Sequence, residues 1–237
     1  MKIFTAIFRF IVYSNIYIAL CVVCFTAKTS LLLYGNNGSI YVNILVFFAT
    51  LFLYGFHRVY HRNRMVPEEL EKERHHWADE HKIFYYAEIG IAFTACAVLM
   101  FFMPLRVWLL FIPPAILGLG YSVHFIKTGD GWKRLRDISW LKIVWISLAY
   151  AWITTFIPVA YFLPVHELLK PDVVLIFARS FLFIFVLVIP FDIREMSYDL
   201  KNGIKTLPVI LGVDFVLRRA MLLLIAFTLL VLLQWQN

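Results

Sequence analysis

Long apolar runs divide this chain, and no other feature constrains its fold as tightly. About seven of them lie between polar connections, at roughly 10–33, 40–57, 83–103, 105–124, 140–163, 172–191 and 213–235. A helix of about 18 to 25 apolar residues crosses the ~30 Å hydrocarbon layer of a bilayer. These runs are apolar on every face, whereas membrane strands alternate over about ten residues, so a barrel is excluded. The chain reads as all-α: a multi-pass transmembrane helical bundle of about seven helices, forming a single integral membrane domain over residues 1–237. The composition, 62% hydrophobic and 16% charged with a mean hydropathy of +0.80, excludes an ordinary soluble domain. The first run is too long for a secretory leader and lacks a small-residue cleavage site, so it reads as a membrane helix.

Basic residues divide unequally between the two sets of connections. Lys2, Arg9, the 58–82 and 127–142 loops, and Arg194, Lys201, Lys205, Arg218 and Arg219 fall on one side; the other holds little beyond Arg106 and Lys170. The positive-inside rule puts the N terminus and the main polar loops in the cytoplasm, with the C terminus outside if seven helices is right. The net charge of +7 then belongs to the cytoplasmic face, where it suits anionic lipid headgroups or a phosphorylated substrate. Nucleic acid is not an expected partner.

The most informative polar segment, FDIREMSYDLKNGIKTLP, runs from Phe191 to Pro208 at the end of an apolar run. In a helix Asp192, Glu195 and Asp199 share one stripe, at i, i+3 and i+7, and can point into one cavity. Carboxylates at a membrane boundary need a partner, and a hard cation suits oxygen ligands. Other polar groups read more plainly. Cys21, Cys24 and Cys96 are small packing residues, and no disulfide framework is implied. His57, His61, His75, His76 and His81 suggest a diiron histidine box, but such sites use about eight histidines; the chain has seven, with His166 on the opposite face. The acids and bases from Glu68 to Lys82 read as a solvated, salt-bridged segment. Arg179, deep in the sixth run, must face the bundle or water and reads as needing a structural partner in preference to a catalytic role; Lys28 reads as a snorkelling cation, Asn15 as an interhelical hydrogen bond, and Glu88 as a candidate cavity-lining residue.

The segment from Asp192 to Gly212 resembles the second aspartate-rich motif of the UbiA superfamily of intramembrane prenyltransferases. Asp192, Asp199, Gly203, Ile204, Lys205 and Thr206 occupy equivalent places. Gly120 to Ser122, followed by WKRLRDISWLK from Trp132 to Lys142, resembles the family's tyrosine and lysine-arginine segment after helix four. The resemblance implies a lipid-accessible cavity in which a prenyl diphosphate is held by Mg²⁺ and basic side chains while its allylic carbon–oxygen bond ionises. On that reading Asp192, Glu195 and Asp199 are catalytic and hold Mg²⁺, and Lys133, Arg134, Lys201 and Lys205 bind the diphosphate. The partners implied are a prenyl diphosphate, a hydrophobic acceptor and membrane lipid, with oligomerisation open.

Three departures qualify the resemblance, the smallest being Glu195, which stands where the family often has Asp. Gly55, Val59 and Asn63 stand where the family's first aspartate motif belongs, and no acid occurs between Leu51 and Pro67. His57 and Arg58 stand nearby instead, either as stand-ins that bind diphosphate directly or as salt-bridge partners in an inactive site. Family members also typically have nine helices, so the last two are expected to be missing here. The expected function is therefore transfer of a prenyl group from a prenyl diphosphate to a hydrophobic acceptor, the alternative being a catalytically inactive UbiA-like membrane scaffold or assembly subunit. Transport is disfavoured by the odd helix count and the lack of an inverted repeat.

Overall fold

Hydrocarbon offers no water to backbone N–H and C=O groups, so a spanning segment satisfies them within itself. The apolar runs do this as helices in the computed structural model, which describes residues 2–60, 76–77, 79–123, 126–128, 131–133, 135, 141–201 and 203–235. The elements are α1 (Lys2–Tyr13), α2 (Ile16–Tyr34), α3 (Ile40–Tyr60), α4 (Lys82–Phe101), α5 (Leu105–Ser122), β1 (Ile126–Thr128), β2 (Gly131–Lys133), α6 (Leu141–Phe162), a 3-10 turn (Val165–Leu169), α7 (Pro171–Arg194), α8 (Met196–Lys201), α9 (Leu207–Leu211) and α10 (Val213–Trp235). Six of them, α2, α3, α4, α6, α7 and α10, are long and apolar enough to cross a bilayer, and the shorter apolar α5 covers the remaining expected run. The protein is an integral, multi-pass, all-α membrane protein.

Two local features depart from the sequence reading. The expected 10–33 run is two helices, broken where Asn15 adopts φ 62°, ψ 3°. Asparagine is among the few residues that tolerate this left-handed conformation. Its amide is buried but makes no hydrogen bond among the described residues, so it acts through its backbone and not as the expected interhelical bridge. The break leaves the carbonyl of Tyr13 without a helical partner, and the buried Tyr85 hydroxyl of α4 donates to it. Within the polar 123–140 connection, β1 and β2 form a short antiparallel pair with Lys127 opposite Trp132.

The chain forms two compact units, Met1–Trp108 and Leu109–Asn237. In the first, α3 packs between α2 and α4, with Ala19, Leu51 and Ala92 at the centre and Ile16, Phe47, Phe48 and Phe52 around them. Small residues at such contacts let helix backbones approach closely. Gly55 shows how closely: a Cβ there would lie 2.8 Å from Ile89 Cγ1.

In the second unit α6 packs along α7, and α7 along α10, around Ile143, Ile189, Val216 and Ala220. Only the short Val165–Leu169 turn joins α6 to α7, so the start of α6 and the end of α7 lie side by side. Outward faces carry large apolar side chains such as Phe101, Met221, Leu222, Ile225 and Leu229, whose exposure is appropriate to lipid.

Gly55→Ala is expected to cost about 1–3 kcal/mol through the clash with Ile89. Gly90→Ala has open space around it and should be neutral or stabilise by up to ~1 kcal/mol. Thermal unfolding of the two variants in detergent measures the difference; equal midpoints would contradict the tight α3–α4 approach.

Candidate functional site

The polar segment after α7 continues nearly as a helix, and that continuity keeps its carboxylates on one side. Asp192 occupies the last turn of α7. Glu195 caps that helix, its N–H donating to the Phe191 carbonyl at 3.0 Å, and Asp199 on α8 donates its own N–H to the Glu195 carbonyl at 2.9 Å. Gly203 then ends α8 at φ 69°. Its N–H reaches the Leu200 carbonyl at 3.2 Å, and the Ile204 N–H reaches the Asp199 carbonyl at 2.8 Å, which is the Schellman pattern. Glycine belongs there because the left-handed conformation penalises a Cβ. The reversal buries Ile204 and Thr206, leaves Lys205 exposed, and leads into α9 through Pro208.

The three carboxylates converge on Lys142, the second residue of α6. Its Nζ lies 2.7 Å from Glu195 Oε2, 2.9 Å from Asp192 Oδ1 and 3.6 Å from Asp199 Oδ2. Glu195 accepts a hydrogen bond from the ammonium, whereas the contacts with the two aspartates are ionic. Asp192, Asp199 and Lys142 are almost wholly buried, at 1%, 0% and 4% exposure. Tyr121, near the end of α5, lies within electrostatic range of Lys142, and Arg194 reaches Glu195 Oε1 at 3.8 Å.

Helix electrostatics sharpen this dependence. The C-terminal end of α7 carries partial negative charge that disfavours Asp192, and the N-terminal end of α6 carries partial positive charge that disfavours Lys142. Brought together, each charge answers both its counterion and the opposing dipole. A buried charge left alone is costly, and removing one partner of such a pair typically costs about 3–5 kcal/mol.

The other candidate residues are placed less closely. Lys133 ends β2, Lys201 ends α8, and Arg134 lies outside the described residues. His57 and Arg58 occupy the last turn of α3 in the first unit, where the Arg58 guanidinium lies 5.4 Å from the centre of the Tyr85 ring. The first unit also has an apolar groove of about 590 Å³ along α3 and α4, lined by residues including Ile44, Phe48, Ile91 and Val98, which suits a hydrocarbon chain and offers no charge to a phosphate.

The histidines form no metal cluster among the described residues: His76 pairs with Glu80 at 3.2 Å and His81 stacks on Trp77, while His61 and His75 lie outside them.

Lys142 is the site residue that the sequence reading missed. The sequence places it in the basic 127–142 connection and at the end of the Trp132–Lys142 segment, with no partner assigned, although the apolar run beginning at 140 already contains it. A lysine inside the first turn of a membrane helix, facing acids at the end of another, was the available signal.

Lys142→Ala should lower stability by about 3–5 kcal/mol, because it removes a buried cation that lies 2.9 Å from Asp192 and 3.6 Å from Asp199. Lys205→Ala, at an exposed position, should stay within ~0.5 kcal/mol of the parent. Denaturant unfolding in mixed micelles separates the two, and similar losses would contradict the burial of the cluster.

A model of the UbiA prenyltransferase family matches residues 85–237, more than half of the chain. No curated protein and no solved structure matches it. The matched stretch includes Lys142, Asp192, Glu195 and Asp199 and stops short of His57 and Arg58.

Proposed function

The chain belongs to the UbiA prenyltransferase family, and on that premise we propose that it transfers a prenyl group from a prenyl diphosphate to a hydrophobic acceptor within the membrane. The observation that carries this reading is the convergence of Asp192, Glu195 and Asp199 at the end of α7, inside the stretch that matches the family. In the reaction the allylic carbon–oxygen bond breaks with its electron pair passing to the diphosphate. The acceptor's nucleophilic atom bonds to the allylic carbon and loses a proton. Preorganised cations stabilise the charge that develops on the leaving group. Lys133, Arg134, Lys201 and Lys205 are the proposed diphosphate contacts, and His57 and Arg58 are candidates by sequence position alone. The chain is proposed to act as one integral membrane domain, with its N terminus and polar loops facing the cytoplasm.

Family prenyltransferases generally use Mg²⁺. The carboxylates of this chain do not fit that ion as they stand, because Lys142 Nζ already occupies their point of convergence. Among the described residues no group of three or more His, Cys, Asp or Glu is arranged to hold a metal. No step of the proposed reaction is therefore routed through a metal.

A second reading, an inactive membrane scaffold or assembly subunit, is favoured by that same neutralisation and by Gly55, Val59 and Asn63 at the place of the first aspartate motif. Titration calorimetry with a non-hydrolysable prenyl diphosphate analogue distinguishes the two. Saturable binding, together with transfer that is lost in Asp192→Asn and Asp199→Asn chains that still insert, is the expected result. Absence of binding selects the scaffold, and turnover unchanged in both variants removes these carboxylates from the reaction.

A further inference from the structure

We propose that Lys142 is the resident cation of the Asp192, Glu195 and Asp199 cluster, and that the cluster takes no divalent metal while the lysine is in place. The inference rests on the placement of the same carboxylates that the proposed function uses.

Three oxygens from three carboxylates surround one nitrogen at 2.7, 2.9 and 3.6 Å. A magnesium ion would require the same oxygens to close to about 2.0–2.1 Å around a single point, and it usually keeps several waters. Lys142, Asp192 and Asp199 are all more than nine-tenths buried, which leaves little room for a hydrated ion beside the ammonium. Displacement is opposed as well. Lys142 begins a membrane helix, its neighbour Ile143 is locked against Ile189, Val216 and Ala220, and Ile193 packs on the same group. The backbones that carry Lys142 and Asp192 are thus held together by one apolar core, through Ile143 on one helix and Ile189 and Ile193 on the other. Moving the ammonium aside for a metal would place two cations together in a site of low polarity, where like charges repel strongly.

The cation is also covalently supplied. A free metal must lose water and translational freedom to enter, whereas a tethered ammonium is already present when α6 and α7 pack. Lys142 is in this sense a positioning residue: it holds Asp192, Glu195 and Asp199 in a fixed arrangement without an exchangeable ion.

Paramagnetic resonance of Mn²⁺ titrated into the purified full chain in detergent tests the idea, with thermal unfolding in the same samples. The parent chain should show no saturable Mn²⁺ site that is sensitive to Asp192→Asn. Lys142→Ala, which removes the ammonium from between the three carboxylates, should gain one, binding at least about tenfold tighter than any such site in the parent. It should also regain thermal stability when Mn²⁺ or Mg²⁺ is added, and both gains should vanish when Asp192→Asn and Asp199→Asn are added to it.

A parent chain that binds one Mn²⁺ as tightly as Lys142→Ala, with binding lost in Asp192→Asn, overturns the proposal. So does a folded Lys142→Ala that gains no site. If Lys142→Ala does not fold, the parent decides: an Asp192-dependent Mn²⁺ site overturns the proposal, and none supports it. Turnover is not read, so a chain that fails to bind prenyl diphosphate yet excludes Mn²⁺ from the cluster defeats the functional reading alone.

Discussion

Charge in an apolar medium organises the second half of this protein. Asp192 and Asp199 are buried where ionised carboxylates are unstable alone, and Lys142 is buried where an ammonium is unstable alone. Their meeting requires that the first turn of α6 lie against the last turn of α7 and the start of α8. The short 3-10 connection between α6 and α7 makes those ends adjacent, and the Ile143, Ile189, Val216 and Ala220 contacts hold them in register. The Gly203 reversal then returns the chain so that α9 and α10 cover the same core.

Membership in the UbiA prenyltransferase family gives this cluster a chemical context, and the chain departs from that context in a consistent direction. The acids expected after the second membrane helix are absent, and the acids after the later helix are met by an internal lysine. Both changes lower the demand for an external divalent cation. Apolar helix faces and the α3–α4 groove supply surfaces that suit hydrocarbon, while the ion cluster lies where α6 begins and α7 ends.

Much of the site was legible because helical spacing is a local property. Asp192, Glu195 and Asp199 fall on one stripe in any helix, and the structure keeps them there despite the cap at Glu195. The glycine of the Gly-Ile-Lys-Thr segment was also readable, although its physical task, a left-handed residue closing α8, emerged only from the backbone. The break at Asn15 was not legible: hydropathy continues across it, and one residue's φ decides it. The β1–β2 pair lay hidden in a connection whose polarity and charge suggested only a loop.

The sequence by itself determined that this is a multi-pass helical membrane protein with carboxylates gathered at one helix end, because run length, hydropathy and residue spacing act along the chain and need no knowledge of contacts. What neutralises those carboxylates was decided by the tertiary structure. Lys142 and Glu195 are 53 positions apart in sequence and 2.7 Å apart in space. A lysine at the edge of an apolar run is equally consistent with snorkelling into water and with pairing inside the protein. Only the antiparallel packing of α6 on α7 selects between them, since it sets the burial that makes pairing obligatory.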